Sequence, residues 1–219
     1  MASFTIQNPP SDTSMADFKS ALDALGAPAK NCRFALQILF SGLGTGGAGH
    51  AMNSLGYSFM TRDLVYLCEA IDFPGRGFDF LPSRHYGPEY ALPFNSKYEN
   101  QYSVSIITRN DAMERQMFDD WLEVINPTNL FDFNYAENYY CTIRAFQLSE
   151  EADESGKSGK ATYLWELQEA WPMQVSTQQV TWADNDVLRL NVSFYFRYWK
   201  RPGRDIAAGG STVVPKKLG

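Results

Sequence analysis

The stretch Gly42–Gly47, GLGTGG, satisfies the pattern G-x-G-x-x-G. Glycines at this spacing let a backbone wrap a pyrophosphate. That chemistry also needs a strand before the glycines, a helix directly after them, and a second strand ending in an acidic residue. A strand-like run does precede, but AGHAMNSLGYSFMTRD follows, with no stripe at 3.6-residue spacing and no closing acidic strand. G-K-[S/T] is absent, so the stretch is no Walker loop. It reads as a long, flexible loop tip, and a nucleotide-using enzyme acting through Gly42–Gly47 is the alternative.

Other reactive residue types are as thinly placed. The two histidines, His50 and His85, show neither H-x3-H nor Cys/His spacing, and no triad partner stands near them. Asp119-Asp120 and Glu150-Glu151 are adjacent pairs whose side chains diverge on a helix or strand. Asp184 and Asp186 make a D-x-D, but ADND before a long strand is turn chemistry. No serine stands in G-x-S-x-G. The sequence therefore assigns no catalytic, cofactor-binding or metal residue, and no cofactor. Cys32, Cys68 and Cys141 include no C-x-x-C pair and lie in apolar alternating stretches, which predicts three buried free thiols and a reducing, cytosolic origin.

The elements around these residues are mostly strands. Alternation predicts strands over Cys32–Phe40, Arg62–Phe73, Gln101–Thr108, Asn138–Leu148, Thr162–Pro172 and Asp186–Trp199. The first two, joined by the glycine stretch, read as a hairpin with an extended tip. Pro74–Phe94, rich in proline and glycine, reads as short strand pieces and turns. One helix is clear, NDAMERQMFDDWLEVINP. Met113, Met117, Trp121 and Ile125 line one face with Phe118 and Leu122 beside them. Asn110 or Asp111 can cap it, Asp111 with Glu114 has capping-box spacing, and Pro127 enforces the stop. An arm over residues 1–14 precedes a short helix with Met15, Phe18, Leu22 and Leu25 in phase. Ser149–Ala161 reads as a solvated loop.

The net charge of −6 makes the chain a poor grip for phosphate backbones, and a better surface for nucleic acid to slide past. Twelve Tyr, 15 Phe and 5 Trp favour strands and large packed contacts, subunit interfaces included. Arg76, Arg84, Arg109, Arg115 and Arg144 are scattered, which suits protein contacts more than a nucleic-acid groove. No apolar run approaches the roughly 20 residues that span a bilayer, and MASFTIQNPPSDTSMADF is no secretory signal.

Two longer patterns carry more. Tyr86–Ile125 gives a strand, a polar break and an amphipathic helix with F-x-x-W. Leu167–Trp199 gives a strand ending W-P, a short excursion, N-D, and a long alternating strand closing Y-W. In this order they resemble the tail tube proteins of contractile-tailed bacteriophages and the related tube-initiator proteins of their baseplates, over roughly residues 32–199. The resemblance implies a mainly β subunit: an antiparallel β-sandwich or split barrel with one flanking amphipathic helix. It implies a structural virion protein and no enzyme. Six subunits would form a ring, and rings would stack into a tube within a sheath, above a baseplate. Viral DNA would pass through the lumen without specific binding, and no membrane is involved. The protein would be made in the host cytoplasm and reside in the virion tail, either along the tube or as the initiator ring at its base. Arg62–Phe73, Gln101–Thr108 and Asp186–Trp199 would supply sandwich and lining sheets. Gly42, Gly44, Gly46, Gly47, Gly49 and His50 would contact the neighbouring ring. Met113, Met117, Phe118 and Trp121 would form the helix face packed on the sandwich. The chain then divides into an arm and short helix (1–31), a tube-like β domain (32–199) and a C-terminal extension (200–219).

Overall fold

A computed structural model of the chain describes residues 29–40, 51–57, 60–84, 86–149, 161–183 and 186–202. The expected arm and short helix over residues 1–28 and most of the Ser149–Ala161 loop lie outside the described residues. Contacts divide the chain into two units, Met1–Arg33 and Phe34–Gly219, and the architecture below is that of the second.

Its elements in chain order are β1 (Phe34–Leu39), α1 (Ala51–Ser54), α2 (Met60–Leu67), β2 (Cys68–Ile71), β3 (Arg76–Ser83), β4 (Tyr90–Tyr98), β5 (Gln101–Ile107), α3 (Met113–Ile125), α4 (Ala136–Tyr139), β6 (Cys141–Leu148), β7 (Ala161–Val175), β8 (Arg189–Tyr195) and β9 (Tyr198–Lys200). Seven strands form one sheet in the order β1-β6-β7-β8-β5-β2, with β9 added on β7; β3 and β4 form a separate two-stranded ribbon. Every pairing is antiparallel. The molecule is thus the mainly β, antiparallel architecture with a flanking helix that the sequence implies.

Period-two alternation explains the central strands. In β5, Tyr102, Val104 and Ile106 are buried while Gln101 and Ser103 face water. In β8, Leu190, Val192 and Phe194 are buried opposite them, in the register Tyr102↔Phe194, Val104↔Val192 and Ile106↔Leu190. Each such buried side chain contributes about 1.5–3 kcal/mol. The strand expected over Asp186–Trp199 is interrupted: the ladder stops at Tyr195, and Tyr198–Lys200 resumes on Glu166–Gln168 of β7. β7 runs through Pro172 rather than ending there. Beyond Ala170 it pairs only with β8, so the missing N–H of Pro172 breaks no second ladder.

Two expectations fail around the glycine stretch. Arg62–Phe73 is not one strand, because Met60–Leu67 is helical and only Cys68–Ile71 is extended. Met60 and Leu64 are fully buried at i, i+4 with Leu67 packed beside them, while Tyr66, which shares the Leu64 face in a strand, is 77% exposed. The expected hairpin is also absent, since β1 pairs with β6 and β2 with β5. Pro74–Phe94 is more regular than expected: β3 and β4 pair from Arg76↔Tyr98 to Ser83↔Tyr90, with one irregularity between Asp79 and Phe80.

α3 covers the core with Met117, Phe118 and Trp121 fully buried, Ile125 nearly so, and Met113 partly buried. Phe118 meets Phe194 edge-on with ring centres 6.0 Å apart, Trp121 meets Phe40 at 5.0 Å, and the indole N–H donates to the Tyr139 carbonyl at 3.0 Å. Its start differs from the expected capping box. Ala112 occupies the cap in the left-handed region (φ 51°) with no side-chain cap bond. Glu114 turns inward instead and is fully buried. Its carboxylate accepts from the Arg109 backbone N–H at 3.2 Å and from the Arg109 side-chain Nε. Arg109 also reaches Asp63 of α2 at 3.3 Å, so one guanidinium joins two helices. At the far end Asn126 is extended, as a residue before proline must be.

Two consequences are measurable. Arg109→Met strands the Glu114 carboxylate without its counter-charge and lowers unfolding free energy by about 2–3 kcal/mol, less than for a wholly buried pair because Arg109 is one-third exposed. The Arg109→Met/Glu114→Gln double variant recovers part of that loss; urea titrations that rank it no better than the single variant refute the ion-pair account. Ala112→Gly relieves the left-handed cap and raises stability by about 0.5–1 kcal/mol, read as a higher midpoint in the same titration.

Candidate functional site

Gly42, Gly44, Gly46, Gly47, Gly49 and His50 lie outside the described residues, as do His85, Asp184 and the Glu150-Glu151 pair. What frames the glycine stretch is described. β1 leads in, its only paired neighbour among the described residues is the antiparallel β6, and the four-residue α1 leads out. A dinucleotide cradle needs a parallel neighbour and a long helix, and among the described residues β1 has neither around it. Asn53 ties the exit back to the entry by donating to the Phe40 carbonyl at 2.7 Å.

The other carboxylates that the sequence singles out, where described, make contacts within the chain. Asp119 pairs with Arg115 at 2.8 Å, and Asp120 accepts the Tyr57 hydroxyl. Burial, then the Asp120 contact, pushes Tyr57 up to about 12. Asp186 accepts from the Val187 N–H and the Arg189 guanidinium, which hold its carboxyl below the usual range. Arg189 also grips Glu69 at 2.6 Å. Among the described residues no group of three or more His, Cys, Asp or Glu could hold a metal ion. The three thiols differ from one another. Cys141 is buried and burial raises it well above its ordinary value; Cys68 is half-buried and pushed up to about 12; Cys32, against expectation, is exposed. Cys32 precedes the start of the β1 ladder at Phe34, so its alternation continues into no sheet.

The described surface carries three features. The first surface is the β3–β4 ribbon. It stands apart from the seven-stranded sheet, with Phe78, Phe80, Leu81, Tyr90, Leu92 and Phe94 all exposed. Its root is fixed: the Trp199 indole donates to the Gly75 carbonyl at 3.2 Å, Tyr98 meets Trp199 edge-on, and Phe73 stacks on Trp165 at 4.3 Å. Arg76 lies over Phe78 and Tyr98 with its centre 5.3 and 5.1 Å from the rings. An isolated two-stranded ribbon is marginal in water, so its apolar residues call for a partner. The sequence signal for it was the run of aromatic and apolar residues between the prolines and glycines, which a search for alternation overlooks.

The second surface is the outer face of β5 and β8. There Ser103 and Ser105 stand beside Asn191 and Ser193, uncharged, around a shallow hollow of about 280 Å³ that also touches Asp72, with Gln101 at one end of the face and the Arg189–Glu69 pair at the other. The third is a pair of strand edges, since β1 and β2 each pair on one side only among the described residues. Free edges are templates for another chain.

The fold has relatives among solved structures. A chain of the anti-feeding prophage baseplate, determined by cryo-electron microscopy with six-fold symmetry, is similar at a TM-score of 0.53 and 13% identity, over 80% of this chain and 96% of that one. A chain from the sheath/tube terminator of the PVC extracellular contractile injection system is similar at a TM-score of 0.53 and 11% identity, over 81% and 98%. A search of the curated proteins finds no match. A family model described as phage tail tube protein matches residues 29–202. The chain belongs to the phage tail tube protein family.

Proposed function

We propose that the chain forms hexameric rings that stack into a tail tube, a conduit for viral DNA, in a particle with sheath and baseplate proteins. The observation that carries this reading is the β3–β4 ribbon, a rooted two-stranded arm with apolar residues bare along its length. A second copy is the natural partner for such an arm, because a head-to-tail contact repeated around an axis closes a ring. The one-sided strands β1 and β2 support it, since pairing across subunits removes an exposed edge. In the ring, the Gln101, Ser103, Ser105, Asn191 and Ser193 face lines the channel. Its uncharged side chains offer phosphate neither attraction nor strong repulsion, and Arg189 at its end is already paired with Glu69 and Asp186.

The division of labour along the chain follows: residues 32–199 build the tube wall, while 1–31 and 200–219 reach between rings or toward other proteins. The virion tail is the place of action, after synthesis in the host cytoplasm. Residues Gly42, Gly44, Gly46, Gly47, Gly49 and His50 touch the neighbouring ring. Likeness to a baseplate chain supports a second station, the initiator ring at the foot of the tube. Copy number in the particle separates the two: many copies along the tail, or six at its base.

Purified chain at high concentration gives six-fold rings or tubes in negative-stain micrographs. A Phe80→Ser/Phe94→Ser variant keeps wild-type stability within about 0.5 kcal/mol, because both side chains are mostly exposed, yet remains monomeric. A wild-type chain that stays monomeric overturns the reading. Amide hydrogen exchange over residues 42–50 slows when rings stack; equal rates before and after assembly remove that segment from the contact.

A further inference from the structure

The two ends of the β5–β8 pair carry unlike features that fit one another. At the end where Gln101 pairs with Tyr195, the chain enters β5 from the β3–β4 ribbon. The ribbon's last pair is Ser83↔Tyr90, and Tyr86 beyond it is completely exposed. Gly87 sits at φ 89°, a conformation open to glycine, and the Arg84 side-chain Nε donates to its carbonyl at 3.1 Å. The ribbon therefore ends in a held turn with one aromatic ring at its tip.

At the opposite end Ile107 pairs with Arg189, and the segment between β7 and β8 frames a hollow of about 380 Å³. Thr177, Gln178, Gln179 and Thr181 line it together with the exposed Val180 and Val187. Its walls are fastened. The Ser176 N–H donates to the Asn191 carbonyl at 2.8 Å, and the Gln178 amide nitrogen donates to the Thr108 hydroxyl at 3.0 Å and the Arg189 carbonyl at 3.2 Å. Those bonds occupy the nitrogen of the amide and leave its carbonyl oxygen as an acceptor, without a partner among the described residues.

A tyrosine suits such a hollow, because it presents an apolar ring and a hydroxyl that needs an acceptor. Charge permits the contact: Arg84 and Glu89 flank Tyr86, Asp186 and Arg189 border the hollow, and each side carries one charge of each sign. The occupant follows from placement. Nothing in its own chain covers Tyr86. The ribbon's root and the hollow are separated by the length of β5, roughly 20 Å at about 3.4 Å per residue. Both features stand on every copy, at opposite ends. A head-to-tail contact uses each of them once per copy and closes a ring, whereas tip against tip leaves every hollow open.

We propose that Tyr86 of one copy seats in the hollow formed by Thr177–Thr181 and Asp186–Arg189 of the next copy, its ring against Val180 and Val187 and its hydroxyl donating to the Gln178 carbonyl oxygen. This deepens the proposed function and rests on its reading that copies of the chain pack together through the ribbon.

The test places the photoreactive benzoylphenylalanine at the exposed Gln179 and irradiates the assembled chain, with half of the copies isotope-labelled. The expected adduct joins residue 179 of one copy to residues 83–89 of another. An adduct within one copy, an adduct elsewhere on the neighbour, or no adduct overturns the inference. A second arm compares Tyr86→Phe and Tyr86→Ala. Tyr86 is completely exposed in the single chain, so both variants keep the wild-type thermal midpoint. The concentration for half-assembly rises about threefold for Tyr86→Phe, the loss of one hydrogen bond, and about tenfold for Tyr86→Ala, the loss of an aromatic anchor. A Tyr86→Ala chain that assembles as readily as wild type overturns the seat, and a Tyr86→Phe chain that does so overturns the bond to Gln178. A wild-type chain that forms no rings defeats the proposed function and this inference with it; rings that form while the adduct maps elsewhere defeat this inference alone.

Discussion

One strand belongs to both halves of the sheet, and the fold depends on where it bends. β7 pairs with β6 through Ala170 and with β8 from Trp171 onward. The change of partner comes directly after Glu169, which sits at φ 55° in the left-handed region. That conformation is costly away from glycine, so something must hold it. Arg197 does so twice: its guanidinium meets both Glu169 oxygens at 3.1 and 3.2 Å, and its backbone N–H donates to the Gln168 carbonyl. The short β9 that follows then pairs with Glu166–Gln168 and completes the corner.

The core follows from that corner. Because β7 turns, the inward faces of β1 and β6 and those of β5 and β8 contribute to a single buried cluster: Leu36, Ile38 and Ile143 on one side, Val104, Val192 and Phe194 on the other. α3 closes it with Trp121, which touches Phe40 from one half and Phe194 from the other. The Arg109–Glu114 pair sets where that helix begins and links it to α2. The outward faces are left free to be polar, as on β5 and β8, or to serve as edges.

Legibility in the sequence tracked how local each signal was. β5, β8 and α3 are readable because one face of each is buried along its whole length, so periodicity alone reports it. α2 reads as strand because Leu64 and Tyr66 alternate as a strand would, and only the packing of the helix on β1 and β5, with Met60 and Leu64 buried, selects the helix. The β3–β4 ribbon has no core of its own, so its residues follow no inside–outside pattern, and Pro82 and Pro93 disguise it further. The inward Glu114 was taken for a cap residue because capping-box spacing says nothing about a guanidinium arriving from Arg109. The surfaces were the least readable of all, since an exposed aromatic and a buried one are the same letter.

Two apolar surfaces of this chain, the β3–β4 ribbon and the loop after α3 with Leu130, Phe131, Phe133 and Tyr135 exposed, differ in local charge. A patch that meets the same patch on another copy must be near electrical balance, whereas a head-to-tail contact can join unlike patches. The ribbon meets that condition: Arg76, Arg84 and Lys97 stand against Asp79 and Glu89 between Arg76 and Tyr98. The loop after α3 does not, because Asp132 and Glu137 are matched by no nearby base of its own segment. Repetition sharpens the contrast. In a ring or a stack each uncompensated charge recurs at every subunit, so an acidic patch turned toward a like neighbour accumulates repulsion with every copy added.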